Sequence, residues 1–385
     1  MKTRLIRHRF HQIIYSIVIF LFGPILKWMY AFRPDRKIRI DGPFLLLVNH
    51  VTAADPVLVP LSFPQQMYIV ADEHLMQKGF ASRLLQFFFD PIVRRKGESA
   101  VTAVKETLAC LKSGFNVCIF PEGTCSFDGN NSPMLPTIGK LAKTCGATLV
   151  TYRFEGGFFT LPRWGRGIRR GKYTGHVENI YPPEMLRQMS PAEINDHIAQ
   201  DLKEDAYARI QADPVDYKSR RRAEWLESGF FLCPSCLRVG TLHTSGETIA
   251  CEACGLSGTL DSQYRLHGFP FSTLEAWEQF ENEWLVSQVS KTDFAFSDDD
   301  AILIEADALH RRKRLCSGPL RMDRDSLTIG SYSFPFSEMA GMEIVRRNLL
   351  VFSTSDSFYQ ITGAKTLCSR KYFQFYRVLK GESLS

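Results

Sequence analysis

Residues 45–56, LLLVNHVTAADP, run from an unbroken apolar stretch straight into Asn49 and His50, and Asp55 follows five positions after the histidine. A neutral imidazole can take a proton from a hydroxyl near neutral pH. A carboxylate beside it would fix its tautomer and stabilise the imidazolium that forms. Taken singly, a histidine at a strand end is more often a hydrogen-bonded structural residue, and an aspartate before proline an ordinary helix cap. Two further segments shift that balance. In FPEGT (120–124) Pro121 ends an apolar stretch, and Glu122, Gly123 and Thr124 present a carboxylate, a bare backbone position and a hydroxyl suited to ligand hydroxyls or phosphates. PIVRRKGES (91–99) adds Arg94 and its neighbour Arg95, residues that grip phosphate bidentately.

A different chemistry sits further on. Cys233, Cys236, Cys251 and Cys254 form C-x2-C-x14-C-x2-C, with Gly255 after the last cysteine. Two thiolate pairs on tight turns suit tetrahedral zinc, and four protein ligands leave no open position for catalysis, so the expected metal is structural. A redox C-x-x-C would be single and would open a helix. Cys110, Cys118 and Cys145 lie inside apolar patterns, as free core thiols do. That usage points to a reducing compartment and the cytoplasmic side.

The elements that must position these groups alternate. FLLLVNH (44–50), MYIVAD (67–72), NVCIF (116–120) and ATLVTYRF (147–154) read as strands. HLMQKGFASRLLQFFF (74–89), AVKETLACLKSG (103–114) and TIGKLAKTCG (137–146) read as helices, with PIVRRKGES as a loop. Asp55-Pro56 is a helix start. The pattern predicts an α/β domain, a mixed sheet flanked by helices, with its site where strands end. Residues 191–229 look helical and charged, and 213–225 form a joint. From about residue 292 short alternating segments lead to the aromatic, basic helix RKYFQFYRVL (370–379), a topology resembling a PH/GRAM-like, β-rich domain. The resulting division is 1–37, a membrane-associated N-terminal segment; 38–212, the α/β domain; 213–262, a linker and zinc ribbon; 263–291, a helical connector; and 292–385, the PH-like domain.

Lys+Arg exceeds Asp+Glu by 47 − 41 = 6 in 385 residues, a mild excess that suits an anionic partner and selects none. Lys2, Arg4, Arg7 and Arg9 precede the uncharged run IIYSIVIFLFGPIL (13–26), and Arg33, Arg36, Lys37 and Arg39 follow it. The run is shorter than the roughly 20 residues a spanning helix needs, and Gly23-Pro24 is a kink point. The reading is a monotopic anchor or re-entrant helix pair, with Trp28 and Tyr30 at the membrane interface. A kinked core helix is the alternative.

NHVTAAD resembles the N-H-x4-D block of the glycerolipid acyltransferases, the group containing 1-acylglycerol-3-phosphate acyltransferase. FPEGTCS resembles their F-P-E-G-T-R-S block, and PIVRRKGES the arginine block between the two, with Arg94 at the matching position. The resemblance covers residues 38–185. It implies acyl transfer from acyl-CoA or acyl-carrier protein to a hydroxyl of a lysophosphatidate or related lysophospholipid. His50 would be the base and Asp55 its orienter, with Asn49, Arg94, Pro121, Glu122, Gly123 and Thr124 on the substrate side. Two positions depart from the pattern, both expected near acceptor recognition: Cys125 replaces an arginine, and Thr151 in LVTYRFEGG (149–157) replaces a proline. WGRGIRRGK (164–172) is basic and could meet headgroups or the donor's phosphates, or stand as a solvated loop. G-x-S-x-G, Walker A and G-x-G-x-x-G are absent from the sequence. The rivals are a zinc-ribbon module for nucleic acid or protein, on SRRRAEW (219–225) and HRRKR (310–314), and a lipid-binding fold without catalysis. The hydrophobic N-terminus favours membrane phospholipid over nucleic acid.

Overall fold

The computed structural model describes residues 2–35, 37–72, 80–94, 101–306, 312–355, 357–364, 366–382 and 384, and every count below is of these. The chain divides into two compact units, Met1–Leu161 with Ile168–Tyr217, and Pro162–Gly167 with Lys218–Ser385.

The first unit is built on a sheet of seven strands: β1 (Phe32–Pro34), β2 (Phe44–Val48), β3 (Met67–Asp72), β4 (Ile92–Arg94), β5 (Asn116–Ile119), β6 (Thr148–Glu155) and β7 (Tyr173–Tyr181). Their order is β1-β7-β6-β2-β5-β3-β4. Every neighbouring pair is parallel except β6 and β7. All five residues of β2 are buried, as a central parallel strand covered on both faces requires. The helices are α1 (Lys2–Tyr30), α2 (Asp55–Leu58), α3 (Phe80–Phe89), α4 (Val101–Lys112), α5 (Ile138–Thr144), α6 (Gly157–Thr160), α7 (Pro183–Gln188), α8 (Pro191–Leu202) and α9 (Ala206–Ala212). Leu45, Leu47, Val117 and Leu149 from the sheet share a buried cluster with Leu111, Leu141 and Ile198 from α4, α5 and α8.

Several sequence expectations change. α1 is one continuous helix with Pro24 inside it, not a re-entrant pair. It is not a core helix either: Arg4, His11 and Tyr15 are buried, whereas Phe20 and Trp28 are 79% and 68% exposed. The segment read as a loop supplies β4, whose Ile92 pairs with Val70; Arg95 lies outside the described residues. The predicted 74–89 helix is described from Phe80, with 73–79 outside that range. β7 was not predicted, because its burial does not alternate cleanly.

The second unit opens with a four-stranded antiparallel sheet, β8 (Leu242–Ser245), β9 (Thr248–Cys251), β10 (Ser257–Leu260) and β11 (Leu266–His267). Helix α10 (Leu274–Val289) follows, then the antiparallel strands β12 (Phe296–Ala306), β13 (Arg312–Met322), β14 (Ser326–Ile329), β15 (Tyr332–Pro335), β16 (Gly341–Val345), β17 (Leu349–Ser353) and β18 (Phe358–Gly363), and α11 (Ser369–Leu379). Their order is β15-β14-β13-β12-β18-β17-β16. Buried polar contacts tie the unit together. Glu281 of α10 accepts the N–H groups of Phe231 and Leu232, both at 2.7 Å. Arg370 of α11 pairs with Glu278, and Lys371 with Asp298. The basic stretch 310–314 is described only from Arg312, where it forms β13.

Candidate active site

Adjacent parallel strands deliver their C-terminal ends to the same edge. Leu47 of β2 lies opposite Ile119 of β5, and three residues further along each strand stand His50 and Glu122. The His50 N–H donates to Glu122 Oε1 at 2.9 Å, and its carbonyl accepts the Ser126 N–H at 2.9 Å. The histidine backbone is thereby clamped on both sides by the loop after β5.

The short turn from His50 to Asp55 folds the carboxylate back over the residues before it. Asp55, 0% exposed, accepts from Val51 N (2.7 Å), Thr52 N (2.9 Å), Thr52 Oγ1 (2.6 Å), Tyr173 Oη (2.5 Å) and His50 Nδ1 (3.0 Å). A fully buried carboxylate is tolerated when its lone pairs are satisfied in this way. The bond at Nδ1 leaves Nε2 as the nitrogen that can exchange a proton with another group. The His50 side chain is 16% exposed and lies 4.5 Å, centroid to centroid, from the Phe120 ring. Burial alone would push its pKa down. The Cys125 sulfur and the Asp55 hydrogen bond outweigh that and hold it well above the ordinary imidazole value.

The substrate-side residues divide into two groups. Asn49 is fully buried; its Nδ2 donates to the Phe154 carbonyl at 2.9 Å, and its Oδ1 accepts the Phe154 N–H at 2.7 Å. With both ends of the amide on β6, it ties β2 to its neighbour rather than facing a ligand. Both oxygens of Glu122 are likewise engaged, Oε1 by His50 N and Asn131 Nδ2, Oε2 by Ser132 N. Burial raises the Glu122 pKa to about 7 against those three donors. Glu122 thereby holds the loop after β5 to the His50 backbone. Pro121 is buried and its carbonyl accepts the Leu135 N–H at 3.1 Å. Gly123 has φ +69°, and a Cβ there would stand 3.5 Å from Arg94 Nη1. Arg94, at the end of β4, thus reaches Gly123.

Sequence reasoning missed Tyr173, a β7 residue with no motif of its own, and undervalued Cys125. Cys125 Sγ lies 3.4 Å from His50 Nε2 and 3.7 Å from Nδ1. Thr151, by contrast, is removed from the site: it is buried, its Oγ1 bonds Asp201 Oδ2 at 2.7 Å, and it belongs to a polar knot with Asn179. The 164–172 segment is not a solvated loop throughout, since Arg169 is fully buried and the Arg170 guanidinium stacks 4.8 Å above Trp28.

Two clusters could hold a metal. Glu155, His176 and Glu178 converge, but Arg153 pairs with both carboxylates at 3.2 and 2.9 Å and Arg209 with Glu155 at 2.9 Å, so their charge is already matched. The four cysteines fit zinc better. Cys233 and Cys254 sulfurs are 3.7 Å apart and those of Cys236 and Cys251 3.8 Å, with all four within 4.8 Å of one another. Thiolates about 2.3 Å from a tetrahedral zinc stand about 3.8 Å apart. Each pair lies on a tight turn whose next residue is left-handed, Leu237 at φ +58° and Gly255 at φ +75°.

Residues 31–155 match the family model described as Acyltransferase. His50, Asp55, Arg94, Glu122 and Cys125 lie within the matched segment, and Tyr173 with the rest of residues 156–385 lies outside it. Among solved structures, the chain is similar to the 1-acyl-sn-glycerophosphate (LPA) acyltransferase PlsC from Thermotoga maritima, at 17% identity and a TM-score of 0.38, over 51% of this chain and 95% of that one.

Proposed function

We propose that this protein is a membrane-associated O-acyltransferase that moves a fatty acyl group from acyl-CoA or acyl-carrier protein to the hydroxyl of a lysophosphatidate or related lysophospholipid. The observation that carries the reading is the His50–Asp55 pair at the C-terminal edge of a parallel sheet, 3.0 Å apart, with Arg94 and the Gly123 turn beside it. The acyltransferase match over this segment supports it. The acceptor hydroxyl gives its proton to His50 Nε2 as its oxygen attacks the thioester carbonyl. The C–S bond then breaks, and the leaving thiolate takes the proton from the imidazolium. Asp55 orients the ring and stabilises its charged form. Arg94 supplies positive charge for the acceptor's phosphate, and holding the reactants in register supplies much of the rate.

α1 supports the membrane association. One face of it is anchored on the domain: Arg4 pairs with Asp90 at 2.9 Å and Glu106 at 2.7 Å, and Tyr15 Oη donates to the Phe63 carbonyl at 3.1 Å, whereas Arg7, Arg9, Gln12, Ser16 and Lys27 are exposed. Its apolar residues Ile13, Phe20, Ile25 and Trp28 face outwards. Ile6–Tyr30 is long and apolar enough to cross a bilayer. The anchored face favours instead a helix that stays on the domain and lies in the cytoplasmic interface. The cysteine cluster would hold a structural zinc, and a PH-like role for β12–α11 remains part of the proposal.

The test is transfer of labelled acyl groups from acyl-CoA and from acyl-carrier protein to a panel of lysophospholipids and lysophosphatidate in mixed micelles. Product on one acceptor is expected. A well-folded protein that acylates none of them would remove the enzymatic reading and leave a lipid-binding or zinc-ribbon scaffold.

A further inference from the structure

We infer that two arginines stacked on exposed aromatic rings, Arg7 on Phe87 and Arg170 on Trp28, are sites for the phosphates of anionic phospholipid headgroups, one at each end of α1; the inference rests on the membrane association proposed above. The Arg7 guanidinium lies 5.2 Å from the Phe87 centroid, and that of Arg170 lies 4.8 Å from Trp28. Phe87 is 46% exposed and Trp28 68%, so both pairs stand at the surface. Stacking uses the flat side of a guanidinium and leaves its N–H fork for another acceptor. Among the described residues neither arginine pairs with a carboxylate, whereas Lys172, two positions from Arg170, is held by Asp213 at 2.6 Å.

Their placement follows the apolar face of α1. Ile13, Ile17, Phe20, Leu21 and Trp28 are exposed, and their spacings of three, four and seven put them on one side of the helix. Arg7 and Trp28 are 21 positions apart, about 31 Å at 1.5 Å per residue. The domain holds α1 along that whole length. Arg4 reaches Asp90 and Glu106 near its start, and Tyr15 the Phe63 carbonyl in its middle. Gly23 packs against Leu61, and Trp28 lies under Arg170 at the end. A helix fastened throughout does not leave the domain to cross a bilayer, so its apolar face enters one leaflet and both ends stay at headgroup depth. Aromatic rings concentrate at that depth. The charge agrees. Residues 1–12 contain no Asp or Glu, and between 27 and 39 the single acid, Asp35, is outnumbered by Lys27, Arg33, Arg36, Lys37 and Arg39. Diffuse charge of this kind draws a protein to an anionic leaflet. The stacked arginines add two fixed points where a planar donor meets a phosphate.

The test is sedimentation of the full-length protein with vesicles of phosphatidylcholine alone and of phosphatidylcholine mixed with phosphatidylglycerol. No acyl donor is present, so the result stands whether or not the protein transfers acyl groups. Wild type should partition more strongly onto the mixed vesicles. Arg7→Ala and Arg170→Ala, checked for native thermal unfolding, should each lose about fivefold there, and the double variant roughly 20-fold. Arg9→Ala and Arg33→Ala, at exposed arginines that stack on no ring among the described residues, should each lose less. Equal losses at Arg9 and Arg33 overturn the inference and leave diffuse charge alone. A double variant that partitions like wild type, or a wild type indifferent to phosphatidylglycerol, also overturns it. Acyl transfer to a dispersed short-chain lysophospholipid should be untouched by Arg170→Ala; a loss there places Arg170 on the acceptor's own phosphate and overturns the headgroup site. Wild type that sediments with neither vesicle rejects the membrane association itself, and the inference with it.

Discussion

Asp55 has no exposed surface and is held by five donors, two of them backbone N–H groups and three of them side chains that substitution can remove one at a time. Tyr173→Phe deletes the 2.5 Å phenol bond and leaves four. The expected cost is about 1 kcal/mol in denaturant unfolding, with a modest fall in turnover, because the carboxylate is still satisfied. Asp55→Asn is different in kind: it removes the orienting charge, and turnover should fall roughly 10²–10⁴-fold. The pH dependence follows from the raised His50 pKa. The stabilisation from its pairing is fully present below about 6.5 and is lost as pH rises through the higher folded value. Steps that need the neutral ring should therefore climb with pH, with a midpoint above about 6.5 in kcat/KM profiles. A midpoint at or below that value would contradict the assigned environment. At this scale His50 and Asp55 were legible because five residues suffice to write a turn. Tyr173 was not, since it comes to Asp55 from 118 positions away and nothing local marks it. Asn49 and Glu122 were found, but their bonds to the Phe154 backbone and to His50, Asn131 and Ser132 were not, because a motif records which residues matter and not which atoms their side chains meet.

The parallel strands β2, β3, β5 and β6 were readable as short apolar runs closed by polar or glycine residues, and their common edge is what gathers the motifs. β4 was hidden because a three-residue strand that itself ends in Arg94 carries no periodic signal. α1 shows where composition misleads: Gly23-Pro24 looked like a break, yet the helix runs on through it. Gly23 matters for closeness instead, since a Cβ there would meet Leu61 at 3.2 Å. The outward apolar face is testable on its own. Phe20→Asp alters a residue that is 79% exposed, so thermal unfolding should be unchanged. Its partition onto anionic vesicles should drop more than tenfold, given about 2 kcal/mol for a buried large apolar side chain. Unchanged vesicle sedimentation would remove α1 from the membrane contact.

Over the whole molecule, one unit carries the site and the other the cysteine cluster. The two C-x-x-C turns were legible because metal chemistry fixes both residue type and spacing; what β12–α11 recognises was not, since an antiparallel sheet closed by a helix names no ligand. One zinc per chain is expected by elemental analysis. Cys233→Ser should lose the metal and lower the unfolding temperature of the second unit, while the chemistry of the first persists. A metal-free wild type of equal stability would refute the structural zinc. The central claim is that His50 drives acyl transfer, and single-turnover kinetics of His50→Ala beside wild type, on whichever acceptor the panel selects, test it most directly. The expected result is a folded variant with transfer reduced by roughly 10³-fold or more. A folded variant whose rate stays within a few-fold of wild type would contradict it.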